Sequence, residues 1–243
     1  MSYVLIIGAK SDIAKEVARV YAKNGYNLYL AARDSSSLED LKHDIEIRSG
    51  ADVELKEFDI TSYDTHEGFY RSLKKRPIGV IVVSGYMAEQ TAAQKEWIET
   101  LNTINVNYTG ALSILNIVAN DFEKERRGFI VGVSSVAGDR GRKANYIYGS
   151  AKAGFSAYLS GLRNRLYESG VTVLTVKPGF VNTKMTENLE LPQKLTASPS
   201  EVAEDIFNAQ QKGRNVLYTK SIWMLIMLII KHIPEFMFKK MSI

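Results

Sequence analysis

Tyr148-Gly149-Ser150-Ala151-Lys152 places a phenol and an amine four residues apart, and Ser135 lies thirteen residues earlier in VSSVAG. On a helix, residues at i and i+4 emerge on one face, so Tyr148 and Lys152 can act together. A tyrosine phenol ionises near ~10, too high for efficient proton exchange at neutral pH, and an adjacent ammonium favours the phenolate. Lys152 is therefore expected to lower the pKa of Tyr148. Such a pair also arises by chance on helices, so its meaning depends on the scaffold around it.

That scaffold is legible as alternation. Short β-branched and aliphatic runs occur at YVLII (3–7), NLYLAA (27–32), VELKEF (53–58), GVIVV (79–83), GFIVGV (128–133) and VTVLTV (171–176). Segments of helical period separate them, which predicts a parallel sheet. Continuous rather than alternating hydrophobicity in YVLII and GVIVV predicts strands covered on both faces, as in a doubly wound α/β sheet of three layers. DIAKEVARVYAKNG has apolar residues at helical spacing and a stop at Gly25. Residues 184–197 are polar, contain Pro192 and lack periodicity, which predicts a mobile loop. With no repeat or linker, one domain is expected, a body over 1–219 and a C-terminal helical extension of it over 220–243.

Composition narrows the function classes. The chain has 243 residues, 45% hydrophobic and 24% charged, typical of one globular domain. It contains no cysteine, which removes disulfides, thiolate nucleophiles and sulfur-bound zinc. MSYVLIIGAK lacks the basic segment and long apolar run of a secretory signal, so cytoplasmic residence is expected. From Arg214 onward there are five basic residues against one acid, while the remainder carries 26 of each sign. A neutral body speaks against nucleic acid as a partner. His43, His66 and His232 lack metal-ligand spacing and are expected at the surface.

In a doubly wound sheet the first strand-to-helix turn presents free N–H groups to a phosphate. Here that turn is Gly8-Ala9-Lys10-Ser11-Asp12-Ile13-Ala14, where Gly8 remains but Asp12 and Ala14 stand in place of the glycines of a dinucleotide fingerprint. The pattern is equally that of a bare turn with Ser11 as helix cap. At the end of the second strand, Arg33 replaces the carboxylate that would hold a ribose 2′-hydroxyl, which favours a 2′-phosphate and hence NADP(H). Lys10 offers a second positive charge or a solvated side chain. Asp59, followed by Ile60, could accept from an adenine amino group or serve as an ordinary loop residue.

Taken together and in order, the Gly8 turn, Asn107-Tyr108-Thr109-Gly110, Ser135, Tyr148-Gly149-Ser150-Ala151-Lys152 and Pro178-Gly179-Phe180-Val181-Asn182-Thr183 resemble the short-chain dehydrogenase/reductase family over residues 3–183. The resemblance implies a Rossmann-like seven-stranded sheet and a ketoreductase that needs no metal. Tyr148 would be the general acid/base, with Lys152 holding the nicotinamide ribose and tuning Tyr148. Ser135 would bond the substrate oxygen, and Asn107 would support a proton-relay water. Pro178, Val181 and Thr183 would contact the nicotinamide or a phosphate. Gly85 ends Val82-Val83-Ser84-Gly85, where the family has two asparagines, an alanine and a glycine, so the adenine-side contacts are expected to be atypical.

Nine consecutive apolar residues, 222–230, fall short of the about 20 needed to span a bilayer. Pro234 should break the first helix, and Phe236, Met237 and Phe238 follow, flanked by Lys239 and Lys240. Apolar segments with lysines suit a peripheral membrane contact over 221–240, and equally a helix packed on its own domain or on a second subunit of a homo-oligomer. NYTGAL, SSVAGDRGRKANYIYGSAKAG, KPGFVNTKM and IKHIPEFMFKKMSI are similar to the reductases of decaprenylphosphoryl-ribose 2′-epimerase systems. That resemblance implies a lipid-linked keto-sugar substrate in cell-envelope polysaccharide synthesis, made by a flavin-dependent oxidase partner. Arg140, Arg142 and Lys143 would then be available to its phosphate, or remain solvated. Other lipophilic ketones, and a non-catalytic NADP sensor, are the competing readings.

Overall fold

The computed structural model describes residues 1–187 and 190–241, so part of the expected 184–197 loop lies outside the described residues. In chain order the elements are β1 (Tyr3–Ile7), α1 (Asp12–Lys23), β2 (Asn27–Ala32), α2 (Glu39–Ser49), β3 (Val53–Glu57), α3 (His66–Ser72), β4 (Gly79–Val82), α4 (Gln90–Ala93), α5 (Trp97–Ile104), α6 (Gly110–Glu125) and β5 (Phe129–Val133). Then come α7 (Tyr146–Leu166), β6 (Thr172–Pro178), β7 (Phe180–Val181), β8 (Thr196–Ala197), α8 (Pro199–Gln211), β9 (Val216–Thr219), α9 (Ile222–His232) and α10 (Glu235–Phe238).

β1 shows why the sheet is covered on both sides. All five of its residues are buried. Val4 and Ile6 pack with Ala14, Val17 and Tyr21 of α1 and Ile206 of α8. Tyr3, Leu5 and Ile7 point the other way, into the cluster of Ile114, Leu115 and Val118 of α6 with Phe155 and Leu159 of α7. Period-2 geometry sends alternate side chains to opposite cores, so no position can be polar. Each fully buried Leu or Ile contributes about 1.5–3 kcal/mol.

The main sheet has seven parallel strands in the order β3-β2-β1-β4-β5-β6-β9. The chain reverses direction across the sheet between β1 and β4, and ligands of open α/β sheets bind in the crevice beyond the strand ends at such a switch point. Six of these strands coincide with the runs read from sequence. The seventh, VLYT in β9, is short and its Val216 is exposed, so it carries little of the continuous signal.

Helix ends follow local chemistry. Ser11 Oγ accepts the Ala14 amide at 3.1 Å at the start of α1. Ser198 and Glu201 form a reciprocal capping box at α8, with Pro199 in its first turn. α9 stops before Pro234, and α10 restarts after it. The described residues of 184–197 contain more regular structure than polarity suggested: β7 pairs with β8, and single 3₁₀ turns occupy 184–186 and 193–195.

Two expectations need correction here. His66 is fully buried, with Nδ1 2.9 Å from Ser113 Oγ and Nε2 3.2 Å from the Asp59 carbonyl. Burial lowers its pKa, against the Asp59 carbonyl and charge, so the ring is a neutral structural bridge between α3 and α6. Arg140 is not free for a phosphate. It donates to the carbonyls of Ile230 at 2.7 Å, Lys231 at 3.2 Å and Ile233 at 2.6 Å, and to Glu235 Oε2 at 2.9 Å. Its guanidinium also lies 3.7 Å from the centre of the Phe238 ring. A cation on the terminal carbonyls of α9 complements the helix dipole and clamps the tail to the body.

Candidate active site

α7 sets the position of the reacting groups. Ser134, just past β5, bonds the Lys152 carbonyl at 2.9 Å and Ser156 Oγ at 2.7 Å, docking the helix against the strand end. Ser135 caps the 3₁₀ turn 136–138, and its Oγ accepts the Ala137 amide at 3.1 Å. One lone pair is engaged there, and the hydroxyl proton remains free to donate. Behind it, Asp139 is held by Lys177 Nζ at 2.5 Å and the Tyr218 hydroxyl at 2.7 Å, fixing the turn to β6 and β9.

Tyr148 and Lys152 emerge from the first two turns of α7 on one face, the Lys152 Nζ 5.7 Å from the Tyr148 ring centre. Lys152 is 3% exposed, and Nζ donates to the Val133 carbonyl at 3.0 Å. Burial pushes its ammonium down to about 7. Burial also pushes the Tyr148 phenol up to about 12, against an opposing hydrogen bond from Ser135. This corrects the expected lowering by Lys152. Its ammonium is directed at a backbone carbonyl, and loss of water dominates both groups.

Ser135, Tyr148 and Lys152 line a cavity of about 740 Å³ at the strand ends. The same cavity is lined by Gly8, Lys10, Ser11, Asp12, Ile13, Arg33, Asp59, Ile60, Gly85, Pro178, Val181 and Thr183. Asn107 is the exception. It sits behind the wall, in a single π-turn over 105–109, and is 1% exposed. Its Nδ2 donates to the carbonyls of Tyr86 at 2.5 Å and Thr103 at 2.8 Å, and its Oδ1 accepts the Tyr86 amide at 3.3 Å. Here Asn107 fixes the strand exit at Gly85 and Tyr86.

The cradle at the first turn fits a dinucleotide phosphate. Gly8 has φ +84, and a Cβ there would meet the Ser84 backbone at 2.7 Å, so a side chain is excluded on both counts. With the Ala14 amide capped by Ser11, the amides of Asp12 and Ile13 are the donors the α1 terminus offers. Arg33 is exposed at the end of β2. Lys10 pairs with Asp34 at 3.0 Å in this structure. Burial alone would raise the Asp59 carboxyl, but the hydrogen bonds from Thr61 and the charge of Arg33 outweigh it and hold it below its ordinary value. Thr61 donates to it from backbone and side chain at 2.9 and 2.8 Å.

Sequence reasoning missed two features of this cavity. Asp12, expected at the cofactor through the first turn, also accepts the Lys184 amide at 2.9 Å through its side chain and ties that turn to the segment after β7. Trp223 of α9 is a wall of the cavity, 5% exposed. Its Nε1 donates to the Leu195 carbonyl at 3.0 Å, and its ring meets Phe180 edge-on at 5.2 Å. A Cβ at Gly179 would overlap the indole. The only available signal was a tryptophan inside an aliphatic run.

Residues 2–194 match the model of the short chain dehydrogenase family. The chain belongs to that family. An oxidoreductase of Mycobacterium tuberculosis, described as uncharacterized, is 33% identical over 98% of this chain and 96% of its own length. A short-chain dehydrogenase from Sphingobium yanoikuyae, in complex with NADPH, superposes with TM-score 0.83 at 24% identity, covering 97% of both chains. Another from Burkholderia cenocepacia, in complex with NADP, gives TM-score 0.83 at 19% identity over 95% of this chain and 93% of its own. Membership of this family makes the chain an NAD(P)-dependent oxidoreductase acting on CH–OH groups or the corresponding carbonyls.

Proposed function

We propose that this protein is an NADPH-dependent ketoreductase acting on a lipophilic carbonyl substrate, best read as a polyprenylphosphoryl 2-keto-sugar. The observation that carries this reading is the convergence of Ser135, Tyr148 and Lys152 in a cavity whose wall is completed by Trp223 of the apolar tail. Gly8, Ser11, Asp12 and Ile13 would hold the pyrophosphate, Arg33 a 2′-phosphate, and Lys152 the nicotinamide ribose. Pro178, Val181 and Thr183 would flank the ring. The neighbours with NADPH and NADP support the same cofactor.

When bound, NADPH supplies the hydride that reduces the carbonyl carbon. As charge grows on the carbonyl oxygen, Ser135 Oγ–H and the Tyr148 phenol donate to it, and Tyr148 delivers its proton to give the alcohol. A phenol raised by burial stays protonated until the oxygen needs it. Hydroxyls of a bound ribose around Lys152 would favour its ammonium over the neutral amine, and the recharged lysine would stabilise the phenolate left behind. The complete donor set argues against a sensor, which has no use for a proton donor.

The tail supports a substrate presented at a membrane. No helix among the described residues is long and apolar enough to cross a bilayer. α9 buries Trp223 and Met227 against the body while Met224, Leu225, Leu228 and Ile229 are exposed, as are Phe236 and Met237 of α10. Lysines 220, 231, 239 and 240 accompany this face. We read it as a peripheral contact with an anionic surface on the cytoplasmic side, near a flavin-dependent oxidase that supplies the ketone, in a homo-oligomeric reductase.

The deciding test is to incubate purified protein with NADPH and a polyprenylphosphoryl 2-keto-pentose and follow cofactor oxidation and product. Turnover that falls by roughly 10²–10⁴-fold in Tyr148→Phe supports the reading. Turnover restricted to neutral lipophilic ketones would replace the keto-sugar, and unaltered rates in Tyr148→Phe would remove the proposed acid.

A further inference from the structure

Arg142 lies between the Ser135 turn and α7 and lines the same cavity as Tyr148. Its Nε is buried with no hydrogen-bond partner among the described residues. Burial pulls the guanidinium below its ordinary value, and the charge opposing that loss is Asp139. That carboxylate is already engaged by Lys177 and Tyr218. Arg142 is thus a half-buried cation lining the reaction chamber, its Nε unpartnered among the described residues and the acid that opposes its burial engaged elsewhere. Natural proteins seldom leave such a donor unmatched, because a buried polar group without a partner is costly.

The surroundings sharpen the ligand chemistry. Asn145 also lines the cavity, and its Oδ1 is buried without a partner among the described residues. A guanidinium donor and an amide acceptor three residues apart match a phosphate attached to a hydroxyl-bearing group. Arg140, two residues before Arg142, is bonded to the tail instead, and Lys143 is exposed. The segment bearing Arg142 is therefore clamped to the α9–α10 extension, whose exposed face is apolar.

We propose that Arg142 is the anion-binding residue of the substrate site, receiving a phosphate diester on the keto-sugar, while Asn145 accepts from a sugar hydroxyl. This rests on the phosphorylated keto-sugar reading above. It gives the substrate a fixed polarity: carbonyl toward Ser135 and Tyr148, phosphate toward Arg142, and the lipid chain leaving toward the tail. Guanidinium suits this task because its planar fork offers paired N–H donors to phosphate oxygens.

The test uses full-length protein loaded with NADP⁺ and two probes, farnesylphosphoryl arabinose and the farnesyl arabinoside lacking phosphate, with affinity measured calorimetrically. Arg142→Gln should weaken the phosphorylated probe by roughly tenfold to a hundredfold, the loss of one charge-assisted contact, while affinities for the neutral probe and NADP⁺ stay unchanged. Arg142→Lys should recover part of that loss. Equal weakening of both probes, or of neither, overturns the assignment. Turnover of the phosphorylated keto-pentose that is indifferent to Arg142 would keep the substrate and discard the subsite. Arg142-dependent binding of the phosphorylated probe without keto-pentose turnover would keep the subsite and discard that substrate.

Discussion

The Asp12 carboxylate accepts the Lys184 amide at 2.9 Å, joining the first turn of the domain to the segment that follows β7. Both residues line the cavity, so this one bond links two parts of its wall. Asp12 stands where the family's fingerprint has a glycine, and the exchange gives up backbone freedom for a latch. Asp12→Gly should raise the KM for NADPH by up to roughly tenfold to a hundredfold, the worth of one hydrogen bond to a charged acceptor, with a smaller change in kcat. Asp12→Asn keeps an acceptor and should fall in between. Hydrogen exchange at the Lys184 amide reports the latch directly and should quicken in the glycine variant alone.

Burial of Lys152 predicts a pH-dependent stability. Its folded-state pKa is about 7, against 10.5 for the ordinary side chain. Between these values the unfolded chain binds more protons than the folded one, so stability rises with pH across that window. Below about 7 both states carry the ammonium and the folded state bears the full burial cost. Lys152→Met removes the titration. In thermal melts of cofactor-free protein, Tm of the parent should climb relative to Lys152→Met from pH 7 to pH 10. Parallel curves would show that the amine is not desolvated. The same variant should lose nearly all reductase activity.

Arg33 is exposed at the end of β2, while Lys10 is paired with Asp34. Arg33 is therefore the charge we propose would select a 2′-phosphate. Arg33→Ala should weaken NADPH by roughly tenfold to a hundredfold and leave NADH within about twofold, measured by fluorescence titration. A parallel loss of both cofactors would place Arg33 in general packing of the adenosine end.

The tail makes a separable prediction. Leu225 and Ile229 are more than half exposed, whereas Trp223 and Met227 on the opposite face of α9 are buried. Leu225→Gln together with Ile229→Gln should cut binding to phosphatidylglycerol vesicles by about tenfold or more and leave reduction of a small water-soluble ketone unchanged. Binding should also weaken with salt, because lysines contribute. Unchanged vesicle binding, with a shift in oligomeric state instead, would assign this face to a second copy of the chain.

Much of this protein was already written in local patterns. Six strands were readable because a sheet covered on both faces needs unbroken apolar runs, as the two-sided burial of β1 shows. The Tyr148–Lys152 pair was readable because helical period alone puts i and i+4 on one face. The break at Pro234 followed from its missing N–H and fixed φ. Tertiary structure decided what depends on neighbours distant in sequence. It turned Arg140, expected at a phosphate or in solvent, into a tail clamp and buried His66 between α3 and α6. It set Asp12 against Lys184, placed Trp223 in the cavity wall, and reversed the expected pKa of Tyr148. Spacing tells which side chains share a face. Only the packed chain determines how much water each loses and which partner from afar reaches it first, and those two quantities set charge, pKa and binding role.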